Sequence, residues 1–557
     1  MRFPDRNTLQ KAIKIYFFVS VITVLIFLPD VVFFLKNGFY NYAVSGFVVV
    51  QLLSLMPVVL FYYNLKIYYL IAALICSIIP LALLPVLLIN SQVNAEMAGL
   101  LLDTNYKEAM ELLGWRIFVV AAMIVLNFLL VIWLGRRLPK KLNFKTAALI
   151  SGLAILGFLA IPFLRSRDIK KHPIILKNTF RTYYPFRMVN IFSYLYSEMQ
   201  NTRNYQKVVK NFSYGAYRKT EDSPRHIHIL IIGEASRFDH WAINGYARET
   251  SPNLDSMKNL VSFSNVASGG TMTILSVPQL ITRADALNFD LHKKEKSILE
   301  AFKEVGYKTF WISNQSKFGL TGNIGMHYND GDTAIFNGYG DNESNFRGNY
   351  DSALVDIVKN VMNQYSKEDI FMIVHTIGSH YRYLLRYPES FTHFRPVSDR
   401  NRMSLSYPPR DIVINEYDNS ILYTDLIISQ IIEEVKATGA ESTVTFVSDH
   451  GENLGDDDRK LYFHSYTPTH YTAQVPLFIW GSDLFLKKNA DKFSFLRQHK
   501  DRKISSADNV FHTILDMAGI GIKNSDSTRS IASPYFTDSR QEVLGENGKV
   551  TPFDEIK

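Results

Sequence analysis

Cysteine is almost absent: the 557 residues hold one, Cys76. No disulfide can form within the chain, so any domain exposed to an oxidising compartment must rest on an ordinary packed core. Long apolar runs are missing from the last two-thirds, and none recurs after Phe163. They crowd the first third, where five begin at Ile15, Ala43, Tyr68, Ile117 and Thr146. Each has about the 17 to 25 residues needed to cross a bilayer as a helix. A composition 47% apolar with a mean hydropathy of -0.01 therefore reads as a membrane part joined to a soluble part. The first run is too long, and too soon followed by others, for a cleaved signal peptide, and reads as a permanent anchor.

Basic residues set the orientation. Arg2, Arg6, Lys11 and Lys14 precede the first run, and Arg136, Arg137, Lys140, Lys141 and Lys145 fill the loop between the fourth and fifth, against Lys36 alone after the first. The positive-inside rule places the N-terminus in the cytoplasm and, after five crossings, everything beyond about Ser166 outside. Asp30, near the outer end of the first run, is expected to reach the interface by snorkelling. The segment 91–115 mixes charge with apolar spacing and reads as an amphipathic stretch along the membrane. Part of the net charge of +8 falls between Arg165 and Arg225, among tyrosines. That region reads as a linker against anionic headgroups, and the topology denies it nucleic acid. The expected organisation is a five-span domain at 1–165, a linker at 166–225 and an outer domain at 226–557.

Beyond Arg225, "HIHILIIGE", "YKTFWISN", "DIFMIVHTIGSH", "STVTFVSDHGE" and "VPLFIWG" read as buried strands separated by amphipathic helices. The alternation predicts an α/β domain with a largely parallel sheet covered by helices on both faces. Ligands in such sheets bind beyond the carboxyl ends of the strands. Those ends deliver Glu234, then Asn314 and Lys317, then His375 and His380, then Asp449, His450 and Glu452, with His464 and His470 following in a loop. His375, still inside its strand, reads as core. Carboxylates with imidazoles suit zinc, and a hydroxyl beside such an ion can lose its proton near neutral pH. Such hydroxyls occur in "GGTMTILSVP", where Thr271, Thr273 and Ser276 follow a glycine pair. A helix start there would favour an anionic phosphate.

"GEASRFDHWAINGYARETSPNLD", "GGTMTILSVP", "HTIGSH", "SDHGENLG" and "FHS", in that order, resemble the motifs of the membrane-anchored phosphoethanolamine transferases of the alkaline phosphatase and sulfatase superfamily. That family includes lipid A modifiers that confer polymyxin resistance. The resemblance spans nearly the whole chain. It implies Glu234, Thr273, Asp449 and His450 as ligands of a catalytic zinc, with Thr273 as nucleophile. It implies His380 and His464 as binders of the phosphoethanolamine group or of a second zinc, and as candidates for general base. Asn314 and Lys317 match substrate-binding positions more loosely. The donor it implies is phosphatidylethanolamine, and the acceptor lipid A, lipopolysaccharide core or another envelope glycan. The setting is the bacterial inner membrane, with the catalytic domain in the periplasm.

The chain departs from the pattern of the lipid A modifiers, which carry cysteines flanking the nucleophile loop. Gly269 and Gln279 stand at those places. Three alternatives stay open: a phosphoglycerol transferase of the lipoteichoic acid synthase type, a hydrolase, and a membrane sensor that has lost catalysis. A formylglycine sulfatase needs Cys or Ser where Thr273 stands, and a degenerate sensor would have lost part of the ligand set.

Overall fold

The computed structural model describes residues 6–36, 40–89, 93, 116–165, 182–219, 225–315, 323–337, 350–400, 408–464, 468–545 and 548–556. Most of the expected amphipathic segment 91–115, and Lys317, fall outside them. The chain divides into two compact units, the second comprising Glu198–Lys557 and a short earlier stretch.

In the first unit, five helices are long and apolar enough to cross a membrane: Thr8–Lys36, Tyr42–Phe61, Leu65–Leu84, Ile117–Arg136 and Phe144–Phe163. They coincide with the five apolar runs. The third run is interrupted, with one helix spanning Leu65–Ser77 and the next Ile79–Ile89. Pro80 explains the restart, since a proline has no amide hydrogen to donate and is tolerated in a first turn, where none is needed.

Asp30 does not snorkel. Its side chain is fully buried and pairs with Arg187 at 2.8 Å, while its other oxygen accepts from the Tyr184 amide at 2.8 Å. A carboxylate so enclosed is stable only with a cationic partner. That partner lies 157 residues away in sequence, beyond the reach of any local pattern. It stands in the region read as linker, where residues Arg187–Val208 form a helix.

The second unit is built on a seven-stranded sheet. Its strands are β1 (His226–Gly233), β2 (Leu260–Phe263), β3 (Lys308–Ser313), β4 (Thr333–Phe336), β5 (Ile370–His375), β6 (Glu441–Ser448) and β7 (Leu477–Gly481). The spatial order is β2-β7-β6-β1-β5-β3-β4. β1, β3, β4, β5 and β6 pair in parallel. β7 runs antiparallel to both β6 and β2, so the sheet is mixed through this one reversed strand. The central strand is buried along its whole length. Ile227, Ile229 and Ile231 enter one core, with Leu354 and Val358 of the Ser352–Gln364 helix and Tyr417, Ile421 and Ile428 of the Arg410–Ala437 helix. Leu230 and Ile232 enter the opposite core, with Val277 and Leu280 of the Thr273–Ile281 helix and Phe511 and Ile514 of the Ser506–Met517 helix. The period of two, apolar on both sides, is what a doubly covered strand requires.

Candidate metal and nucleophile centre

β1 and β6 are neighbours, and their register sets Gly233 opposite Ser448. The residues that follow, Glu234 and Asp449–His450, therefore leave the sheet together. Gly233 is required there, because a Cβ would lie 2.6 Å from the Phe446 ring. Glu234, Asp449 and His450 each offer a ligand atom within 4.8 Å of the others, and all three are buried. Thr273, half-buried, opens the Thr273–Ile281 helix. Its Oγ1 lies 3.1 Å from Glu234 Oε2, 3.4 Å from Glu234 Oε1 and 3.4 Å from His450 Nε2. The start of the helix, with its unsatisfied amides and positive dipole end, thus faces the cluster.

The supporting bonds fix each ligand. His450 Nδ1 lies 2.7 Å from the Gly451 carbonyl, which can only accept, so Nδ1 carries the proton and Nε2 faces inward. Asp449 Oδ1 accepts from the Ala235 and His450 amides at 3.1 and 2.7 Å, and Oδ2, buried, has no hydrogen-bond partner. Gln315 donates to Glu234 Oε2 at 2.8 Å and to the Thr376 carbonyl at 2.9 Å. Tyr417 donates to the Ala235 carbonyl and accepts from the Arg237 amide, clamping the exit of β1.

Charge concentrates at this point. Burial, and then the Glu234 charge, push the Asp449 carboxyl up to about 7. Burial would lower His450, but the Asp449 and Glu234 carboxylates outweigh it and push the imidazole up to about 10. Burial would raise Glu234, yet the bond to His450 and the nearby imidazole charge bring it below the usual carboxylate range. The cluster therefore holds protons in place of a cation. Its dimensions suit zinc: His450 Nε2 lies 3.4 Å from Glu234 Oε1 and 3.5 Å from Asp449 Oδ2. A tetrahedron with bonds of about 2.0–2.1 Å has edges of about 3.4 Å. The unpartnered Asp449 oxygen is the second sign that these residues fit an ion.

His464 is half-buried, its ring 4.4 Å from that of His450, with Nδ1 3.5 Å from the buried Glu452. His380 is exposed, with Nδ1 2.8 Å from the Tyr381 carbonyl. Asn314 is buried and donates to Asp351 at 2.8 Å, and Asp351 also takes the Ile377 and Gly378 amides that shape the exit of β5. The next residue, Gln315, is the one that reaches Glu234. Lys317 lies outside the described residues. His375 is buried in its strand, as its position suggested, with the Trp311 ring edge-on to it. His470 packs on Phe553. Thr271 is buried, and Ser276 bonds back to the Met272 carbonyl within the helix.

Gln315 and Tyr417 carry no motif that singles out their part, and Glu452, which lies within "SDHGENLG", reads as a strand-exit residue without a role. For Gln315 the one available signal is its place at the same strand exit as Asn314. Leu544, near the C-terminus, also contributes: its amide donates to the Gly269 carbonyl at 2.9 Å and its carbonyl accepts from the Thr271 amide at 3.3 Å.

A mixed α/β sheet with a carboxylate–imidazole ligand group at its strand exits and a hydroxyl inside that group defines a metal-dependent enzyme of the sulfatase type. The Sulfatase family profile matches residues 227–520, and the chain belongs to that family. Phosphoethanolamine transferase EptC of Escherichia coli strain K12 is 27% identical over 522 residues, covering 88% of this chain and 86% of its own. Phosphoethanolamine transferase CptA of Salmonella typhimurium is 30% identical, over 58% of this chain and 56% of its own. The full-length fold matches the integral membrane lipooligosaccharide phosphoethanolamine transferase A of Neisseria meningitidis, with a TM-score of 0.74 at 22% identity over 92% of this chain and 97% of that one. The periplasmic domain of Escherichia coli EptC, solved in complex with Zn, matches with a TM-score of 0.55 at 28% identity, over 61% of this chain and 96% of that one. The resemblance carried by the five motifs is borne out.

Proposed function

We propose that the chain is an inner-membrane phosphoethanolamine transferase. It takes the group from phosphatidylethanolamine and delivers it to lipid A, lipopolysaccharide core or another envelope glycan. The observation that carries this reading is the Thr273 hydroxyl held inside the Glu234–Asp449–His450 group, in a chain whose relatives bear that name. The membrane helices bring the protein to a donor that stays in the bilayer, and the charge of the loops sets the N-terminus in the cytoplasm and the catalytic unit in the periplasm.

Glu234, Asp449, His450 and Thr273 would hold a zinc ion, which when bound acidifies the threonine hydroxyl and offsets charge on phosphoryl oxygens. The Thr273 oxygen attacks phosphorus, the bond from phosphorus to the glycerol oxygen breaks, and diacylglycerol leaves with a proton. An acceptor hydroxyl then attacks the phosphoethanolamine-threonine, restoring the hydroxyl of Thr273. His464, backed by Glu452, takes the acceptor's proton, and His380 and Lys317 bind the phosphate. The amides at the start of the Thr273–Ile281 helix stabilise the equatorial charge.

Intact-mass analysis of the full chain in detergent, incubated with zinc and phosphatidylethanolamine but no acceptor, tests the reading. The wild type gains the mass of phosphoethanolamine, and Thr273→Ala, which keeps the other three ligands, does not. A phosphoglycerol adduct from phosphatidylglycerol would instead identify the lipoteichoic acid synthase type. A zinc-loaded protein that takes no adduct from either lipid would refute the two-step path.

A further inference from the structure

His464 stands on a loop, and its own polar contacts do little to aim it. Nδ1 faces Glu452 Oε1 at 3.5 Å, and among the described residues neither atom has a hydrogen-bond partner. The aim of the ring is left to the backbone that carries it. That backbone is paired with the chain just past the ligands Asp449 and His450. Asn453 and Phe463 exchange both main-chain hydrogen bonds, at 3.4 and 3.0 Å, and the Gly455 amide donates to the Leu461 carbonyl at 2.7 Å. Between them Leu454 and Tyr462 form an antiparallel bridge. The same register sets His464 opposite Glu452, in a pair without mutual main-chain bonds, where facing side chains stand closest. Phe463 has a φ of 63°, in the left-handed region. A residue with a side chain keeps that conformation only where its surroundings fix it.

The Asn453 side chain does that fixing. It is buried, and its amide donates to the Phe463 carbonyl, which belongs to the peptide bond leading into His464. A carbonyl can only accept, so the amide nitrogen faces Phe463 and Oδ1 faces away. Oδ1 accepts from the Thr469 hydroxyl at 2.7 Å. Thr469 in turn caps the His470–Ala473 helix through reciprocal bonds with Thr472. The Phe463 ring meets Tyr381 edge-on, with centroids 4.5 Å apart. We propose that Asn453 is the positioning residue of His464: its amide group joins the residue before the imidazole to the helix cap beyond it, and so holds the ring beside His450 to take the acceptor's proton. The part needs a donor at one end of the side chain and an acceptor at the other, which asparagine has and aspartate lacks. This inference rests on the two-step reading above, in which His464 serves the acceptor and not the loading of Thr273.

The test follows the phosphoethanolamine-threonine adduct of the full chain in detergent, formed with zinc and phosphatidylethanolamine. Once the lipid is removed, the adduct is broken down by water, which like any hydroxyl acceptor must give up a proton. Both rates are read by intact mass for the wild type, Asn453→Ala, His464→Ala and the double variant. Asn453→Ala is expected to load within about twofold of the wild-type rate and to lose the adduct about tenfold or more slowly. In the His464→Ala background the same substitution is expected to slow breakdown no further, which general damage to the fold would not produce. Additive slowing in the double variant, or breakdown of Asn453→Ala at the wild-type rate, overturns the proposal. Should Asn453→Ala fail to hold zinc, Asn453→Asp decides, since it keeps the acceptor for Thr469 and loses the donor to Phe463. Breakdown slowed about tenfold supports the assignment, and breakdown at the wild-type rate refutes it. A wild type that takes no adduct refutes the two-step reading itself, and the role of Asn453 falls with it.

Discussion

Gln315 occupies one oxygen of Glu234 from outside the ligand group. By taking Oε2 it leaves Oε1, the oxygen 3.4 Å from His450, turned toward the cluster. Replacing it with leucine would free the carboxylate to rotate and strand a buried oxygen without its donor. Partners of this kind typically contribute about 10- to 100-fold to metal affinity. Gln315→Leu is therefore expected to weaken zinc binding by that factor and, with the Thr376 carbonyl also left without this donor, to lower the melting temperature, and an unaltered zinc Kd would remove Gln315 from the site. The ligands themselves set a pH dependence. Asp449 and His450 both titrate above their ordinary values, Asp449 at about 7 instead of 3.8 and His450 at about 10 instead of 6.5. A group raised on folding stabilises the fold where it is protonated. Asp449 contributes fully below about pH 4 and loses that as pH rises through about 7, and His450 contributes fully below about 6.5 and loses it through about 10. Zinc must displace those protons, so its affinity is expected to climb between about pH 6 and 8 with net proton release. Calorimetry in buffers of different ionisation enthalpy measures the release, and zinc binding without it would contradict the charge assignment.

The helix that carries Thr273 is held at the level of elements. Gln279, fully buried on its second turn, donates to the Gly269 and Leu275 carbonyls at 3.0 and 2.8 Å. Gly269 and Gln279 are the positions where the lipid A modifiers are expected to carry cysteines, so here a side-chain hydrogen bond links the two ends of the nucleophile loop. A bulkier residue at 269 is excluded, since a Cβ there would meet Ala507 at 2.7 Å. Gln279→Ala removes two buried hydrogen bonds, leaving the Gly269 carbonyl with the Leu544 amide as its remaining donor, and at about 0.5–1.5 kcal/mol per bond should cost about 1–3 kcal/mol, read as a lower denaturation midpoint in urea. No change in midpoint would show that the loop is held by the Leu544 backbone bonds alone. The strands around this loop were legible because β-branched runs such as "HILII" are bounded by polar residues. The direction of β7 was not, because an antiparallel return leaves the same apolar signature as a parallel strand. Glu234, Thr273, Asp449 and His450 were legible as polar residues at strand exits and in motifs. Gln315 and Tyr417 were not, because their partners lie on other elements.

At the scale of the whole chain, the Asp30–Arg187 pair ties the first membrane helix to a helix that follows the last one, closing the first unit across nearly its full length of sequence. Both side chains are buried, at 0% and 9% exposure. The pair's net contribution is set by the difference between its Coulomb attraction and the desolvation of two charges. Removing one partner is far more harmful than removing both, because the survivor keeps its desolvation cost and loses its compensation. Asp30→Leu, which strands Arg187 and also leaves the Tyr184 amide without its acceptor, should destabilise the first unit by about 3–5 kcal/mol. Asp30→Leu with Arg187→Met should recover much of that loss, short of the cost of the unsatisfied amide, about 1–3 kcal/mol. Thermal melting of the four proteins of this cycle in one detergent measures the coupling directly. If the loss in the double variant equals the sum of the losses in Asp30→Leu and Arg187→Met, the pair contributes no coupling. If Asp30→Leu melts with the wild type, the buried carboxylate does not hold the Arg187–Val208 helix, and that helix is kept in place by its apolar contacts alone.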